Sequence, residues 1–127
     1  MVANILTVNH RENVHLDPQK LTDLYAQLGE SGAEDVVCRA IEELAVRLTH
    51  CERLWRQRDV DNLRKSARSL IAISEQIGMM AMAQIARDVT TAIDADDFPA
   101  VGATLFRLIR VGENSLTAVW EQHDLSI

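Results

Sequence analysis

Apolar residues recur along this chain every three or four positions, the spacing of one face of an α-helix. The longest such stripe joins Val37, Ile41, Leu44, Leu48, Cys51 and Trp55. It predicts a helix from Ser31 to about Arg58. Ser31-Gly-Ala-Glu34 reads as a capping box at its start. An earlier, shorter stripe of Leu21, Leu24, Tyr25 and Leu28 predicts a helix from about Pro18 to Leu28, with Asp17 as N-cap and Gly29 as stop. Leu63, Ala67, Leu70, Ser74 and Ile77 predict a third, capped by Asp59 or Asp61 and ending at Gly78. Met82, Ile85, Val89 and Ala92 place a fourth over about Met80–Ala95. Phe98, Val101, Leu105, Leu108, Gly112, Leu116 and Val119 place a fifth from Asp97 to about Trp120. Gly102 and Gly112 each cost up to about 1 kcal/mol inside a helix, so both mark close helix contacts.

No stretch alternates with the two-residue period of a strand. Long amphipathic helices with short connections pack most simply as antiparallel neighbours. The expected fold is all-α: an antiparallel up-down-up-down four-helix bundle with an additional short N-terminal helix. Residues 1–16 form an N-terminal arm, 17–122 the bundle and 123–127 a C-terminal tail.

Composition narrows the function. With 127 residues the chain fits one core. Hydrophobic residues at 47% and charged residues at 25% fit a folded domain rather than wholesale disorder. A net charge of −6 disfavours nucleic acid or an anionic membrane as partner. The apolar runs are too short to cross a bilayer. The start, MVANILTVNHREN, shows no basic segment and cleavage pattern of an export signal. Two cysteines without framework spacing fit reduced thiols, so a cytoplasmic protein is expected.

Enzyme signatures are scarce: there is no phosphate loop, dinucleotide glycine fingerprint, nucleophile elbow or H-E-x-x-H. Cys38 and Cys51 lie too far apart on one helix to share a tetrahedral metal. His50 points to another side than Cys51 and reads as a surface histidine. Asp94, Asp96 and Asp97 resemble the start of a calcium loop but lack its glycine and later glutamate. They read as a solvated turn capping the last helix. Met79, Met80 and Met82 read as core filler. No metal or cofactor is implied.

The informative stretch is Ala67-Arg-Ser-Leu-Ile-Ala-Ile-Ser-Glu-Gln-Ile-Gly78. It resembles the signature of histidine-containing phosphotransfer (HPt) domains: Ala-His-x-Leu-Lys-Gly, four residues, an apolar residue and Gly. Ala67, Leu70, Ile77 and Gly78 match at the right spacing. Arg58 to Lys65 is similar to the family's turn into this helix, and Leu16 to Gly29 to its first helix. The resemblance spans about residues 16–120.

The departures fall on the chemistry. The phosphorylated histidine of the family corresponds to Arg68, its lysine to Ile71 and its glycine to Ala72. His10, His15, His50 and His123 all lie outside this helix. Phosphoryl transfer needs a neutral imidazole nitrogen, and a guanidinium has no lone pair to offer. The resemblance therefore implies a degenerate, non-enzymatic member whose outward face docks a response-regulator receiver domain or a histidine kinase. Helical geometry puts Arg64, Lys65, Arg68, Ala72 and Glu75 on that face, with Ile71 on its shoulder. Three other readings stand beside docking: an ordinary solvated face on which Arg64 and Arg68 neighbour Glu75, phosphotransfer through His50, and a self-associating structural bundle. A monomer or weak dimer is expected.

Overall fold

The computed structural model describes residues 17–126, and side chains as far as Thr117. The expected arm 1–16, the side chains of Val119 and Trp120, His10, His15 and His123 lie outside these described side chains. Four helices follow in order: α1 (Pro18–Arg56), α2 (Val60–Gln76), α3 (Met80–Asp94) and α4 (Phe98–Ser126). No strand occurs among the described residues. No helix there is long and apolar enough to cross a membrane.

α1 starts where a capping aspartate and a first-turn proline place it. Asp17 Oδ1 accepts from the Gln19 amide at 3.0 Å, and Pro18 follows. The expected stop at Gly29 is a break inside one element: Gly29 has φ 74° and ψ 174° between two helical stretches. The backbone resumes its helix directly after this glycine, so Ser31 lies in the first turn of the second stretch rather than at its N-cap. Beyond the break Val37, Ile41, Leu44, Leu48 and Cys51 are buried, as their stripe requires. Trp55 is half-buried against the core. Before the break only Leu21 and Leu24 pack on the core. Tyr25 and Leu28 are exposed, Leu28 to 49%, because the break at Gly29 ends the phase of the core stripe.

One turn geometry ends α1, α2 and α3. After α1, the Arg58 amide donates to Trp55 O and the Asp59 amide to Leu54 O, with Arg58 at φ 57°. After α2, Gly78 donates to Glu75 O and Met79 to Ser74 O, with Gly78 at φ 79°. After α3, Asp96 donates to Ile93 O and Asp97 to Ala92 O, with Asp96 at φ 55°. Each is a Schellman motif with a left-handed residue at its hinge. After α1 and α3 the next residue already caps the following helix with its side chain. Asp59 accepts from the Asn62 amide at 3.3 Å, and Asp97 from Ala100 at 3.2 Å. The choice between Asp59 and Asp61 is thus Asp59. The last helix extends through Ser126, past the end expected near Trp120.

Each helix packs on its chain neighbours, and α4 also meets α1. The shared core holds Leu44, Leu63, Leu70, Met79, Met82, Leu105 and Leu108, each almost free of solvent. Met80, expected in the core, is exposed: it opens α3 on the outer side while Met79 and Met82 turn inward. Both glycines flagged in α4 are contact points. A Cβ at Gly102 would lie 3.2 Å from the Trp55 ring, and one at Gly112 would lie 2.6 Å from Leu48 Cδ1. Trp55 also meets Phe106 edge-on at 5.3 Å and stacks with Phe98 at 6.4 Å.

Cys51 is buried, and its thiol donates to Ser66 Oγ at 3.3 Å. Burial pushes this thiol above its ordinary pKa, against the opposing effects of Ser66 and Arg47. Cys38 is only half-buried. A thiol reagent at neutral pH is therefore expected to modify Cys38 within minutes and Cys51 only on unfolding. Two equally fast thiols would contradict this burial.

Gly29 and Gly78 separate two costs. Both have positive φ, which an L-residue resists by roughly 1–2 kcal/mol. Nothing lies within 4 Å of a Cβ at Gly29, but one at Gly78 meets Asp17 O at 2.6 Å and Lys20 Cβ at 3.1 Å. Urea unfolding should show Gly78→Ala to be clearly more destabilising than Gly29→Ala. Equal losses would mean that the start of α1 yields freely at this contact.

Candidate functional site

The inward stripe of α2 fixes its outward face. Leu63, Ser66, Ala67, Leu70 and Ser74 are buried. Lys65, Arg68 and Ala72 are consequently exposed, and Arg64 and Glu75 half-exposed. Ile71 is half-buried and packs on the core cluster. It belongs to the edge of the core as well as to the face, so it is less free of structural duty than its position on the helical wheel suggests.

The face is bordered by α3 through two ion pairs. Arg64 donates from Nε to Asp94 Oδ1 at 2.8 Å and from Nη2 to Asp94 Oδ2 at 3.2 Å. Arg87 Nη2 donates to Glu75 Oε1 at 2.7 Å. The arrangement in which Arg64 and Arg68 neighbour Glu75 along α2 does not form, because each of Arg64 and Glu75 finds its partner on α3. Arg68 has no hydrogen-bond or ion-pair partner among the described residues. One free guanidinium thus stands between two engaged groups, next to the small side chain of Ala72.

Arg87 is a residue that the sequence did not single out, and Asp94 is one that it assigned only to a turn. Asp94 is not simply part of a solvated turn; Asp97 alone of that group caps α4. A signal existed. An acid in the last turn of a helix opposes the helix dipole, and its nearest basic residues across the following contact lie at the start of α2.

The Arg64 hydrogen bond holds the Asp94 carboxyl below the ordinary carboxylate range. The charges of Arg64 and Arg68 act the same way, and desolvation opposes them. The Arg64 guanidinium is correspondingly held above its ordinary value, chiefly by the same hydrogen bond.

His50 lies on α1, away from α2. Its Nδ1 is 2.8 Å from Arg53 Nη2. Arginine can only donate, so Nδ1 is the acceptor in this contact. No group of three or more His, Cys, Asp or Glu among the described residues could hold a metal ion. A shallow groove of about 270 Å³ between α1 and α2 is lined by Val36, Ala40 and Ile73 with Arg39, Glu43 and Gln76. It is separate from the Arg68 face.

No protein-family model matches this chain, and neither does any curated protein or solved structure.

The Asp94 shift has a defined sign. Its pKa is depressed on folding, so its contribution to stability is complete above the unfolded value and is lost as pH falls through the folded one. Carboxyl-carbon NMR should place the Asp94 midpoint below the ordinary aspartate value of about 3.9. Arg64→Ala should move it back up. An unchanged midpoint in that variant would mean that the pair does not form in solution.

Proposed function

We propose that this chain is an HPt-like docking protein of a two-component phosphorelay. It binds a response-regulator receiver domain or a histidine kinase through the outward face of α2, and it is not phosphorylated at the family position. The observation that carries this reading is Arg68, an exposed guanidinium without a partner among the described residues. It stands where the resemblance puts the reactive histidine. A guanidinium keeps its charge at physiological pH and grips carboxylates through two parallel hydrogen bonds. It fits an acidic pocket of a receiver without any transfer chemistry. The protein is then a cytoplasmic binder that blocks or sequesters its partner.

The fold that belongs to this reading is an antiparallel up-down-up-down bundle, with the stretch before Gly29 as an additional short helix. The order of contacts supports it. Cys51 pairs with Ser66, while the groove joins Ala40 to Ile73. Arg64 pairs with Asp94, while Glu75 pairs with Arg87. Gly102 meets Trp55, while Gly112 meets Leu48. In each case one helix ascends as its neighbour descends.

A second reading, a self-associating bundle, is favoured by Val46 on α1 and Phe106 on α4. They are 66% and 56% exposed. Solution mass at several concentrations separates the two: docking through α2 needs no dimer.

The test uses the host's receiver and kinase domains, first by pull-down and then by titration. Arg68→Ala and Ala72→Glu should each weaken binding by about tenfold or more while the helical content stays unchanged. Removing one side of a buried charge pair commonly costs about 2–5 kcal/mol. Ala72→Glu is chosen over a change at Ile71 because Ala72 is exposed and Ile71 packs on the core. With an autophosphorylating kinase, a receiver and ATP, no acid-labile label should appear on the chain. Label on His50, or equal binding by all variants, would remove the docking reading.

A further inference from the structure

Asp94 is the last residue of α3, where the helix dipole disfavours a carboxylate. Its position has to be explained by what it faces. It accepts two hydrogen bonds from Arg64, at 2.8 and 3.2 Å. Arg68 stands one turn farther along α2 than Arg64 and makes no ion pair among the described residues. One carboxylate of the chain therefore holds the first guanidinium of the docking face and leaves the second open. Burial does not lock the pair in place, since both side chains are substantially exposed.

We infer that Asp94 is an internal stand-in for a partner's carboxylate: it occupies Arg64 in the free protein, and an acidic protein surface displaces it on binding. The inference rests on the docking reading of α2 and adds a rule of selection to it. An exposed ion pair is weak, so displacing it lowers a partner's affinity by no more than about fivefold. A single carboxylate either exchanges the Arg64 pair for another or meets Arg68 alone, and one exposed pair gains little. A surface presenting two or more carboxylates engages both arginines and gains from the second. The face thus rejects isolated acids and admits acidic clusters, a selection achieved by competition rather than by shape. The chain's net charge of −6 also makes long-range attraction of an acidic partner poor, so selection falls on this local contact.

The test uses the full chain, a hexa-aspartate peptide and a singly charged blocked aspartate, at low ionic strength. Arginine Nε–H resonances report on Arg64 and Arg68 directly. The peptide should move both, and the blocked aspartate neither. Asp94→Asn should bind the peptide about three- to fivefold more tightly than wild type. Glu42→Gln, which removes an equal charge from an exposed site on α1, should bind within twofold of wild type. Adding Arg68→Ala to Asp94→Asn should abolish the gain. If both arginines respond but Asp94→Asn and Glu42→Gln bind alike, the stand-in is wrong and the docking face survives. If neither arginine responds, in wild type or in Asp94→Asn, the docking reading fails and takes the stand-in with it. Equal responses to peptide and blocked aspartate would overturn the selection for clusters.

Discussion

The contact that closes the structure is the one between α4 and α1. The other three helix contacts join elements that follow one another in the chain; this one joins the first to the last, and it is the least extensive. It is close because Gly102 and Gly112 give α4 no side chains where Trp55 and Leu48 stand. A methyl at Gly112 would push against Leu48 from 2.6 Å. Leu48 would have to move, and Met82, 3.4 Å from the same point, shares that space. The two glycines lower the helix propensity of α4, and packing offsets it. With α4 seated, Val101, Leu105 and Leu108 join Leu44 and Leu48 in one core. That core holds α2 by its inward stripe and so decides which residues α2 shows to solvent.

Polar groups contribute to this architecture unequally. Inside, Ser66 and Cys51 satisfy one another. The hydroxyls of Ser74 and Ser115 and the Trp55 indole nitrogen are buried without a protein partner. Each such group costs roughly 1–3 kcal/mol, so the apolar contacts around them must supply the stability. Outside, the Arg64–Asp94 and Arg87–Glu75 pairs bridge α2 and α3 in half-exposed positions. Pairs of that kind contribute about 0–1 kcal/mol. Their effect lies in which charges of the α2 face they leave unmatched among the described residues, Lys65 and Arg68.

The sequence makes most of the helical framework legible, and the reason is periodicity. A stripe such as Val37 to Cys51 is set by one physical requirement, burial of one face, and repetition makes it visible. The breaks are as readable where a backbone need selects the residue, as at Gly78. Tyr25 and Leu28 mislead because their spacing continues the pattern, while only Leu21 and Leu24 of that stripe reach the core before the break at Gly29. The turns at Arg58 and Asp96 carry no glycine, so their left-handed hinges are not visible in the sequence. At the candidate site, the wheel of α2 gives the outward positions of Arg68 and Ala72. It cannot give Asp94 or Arg87, because both act across a contact between helices. Ile71 falls between the two cases: its place on the wheel is visible, its packing on the core is not.

The three Schellman turns have a consequence for how the chain reaches its structure. Each turn joins two packed helices through a hinge closed by its own backbone bonds, so the α1–α2, α2–α3 and α3–α4 pairs are made from contacts between nearby stretches of chain. Loops that short close with little entropy loss, and a topology of local contacts folds fast. The α4–α1 contact alone spans the whole bundle. On topological grounds it is the last to form and the first to open. Kinetic stability is therefore concentrated at Gly102, Gly112 and the side chains they meet. A chain that opens there exposes Leu48, Trp55 and Leu105 together while the three hinged pairs still hold.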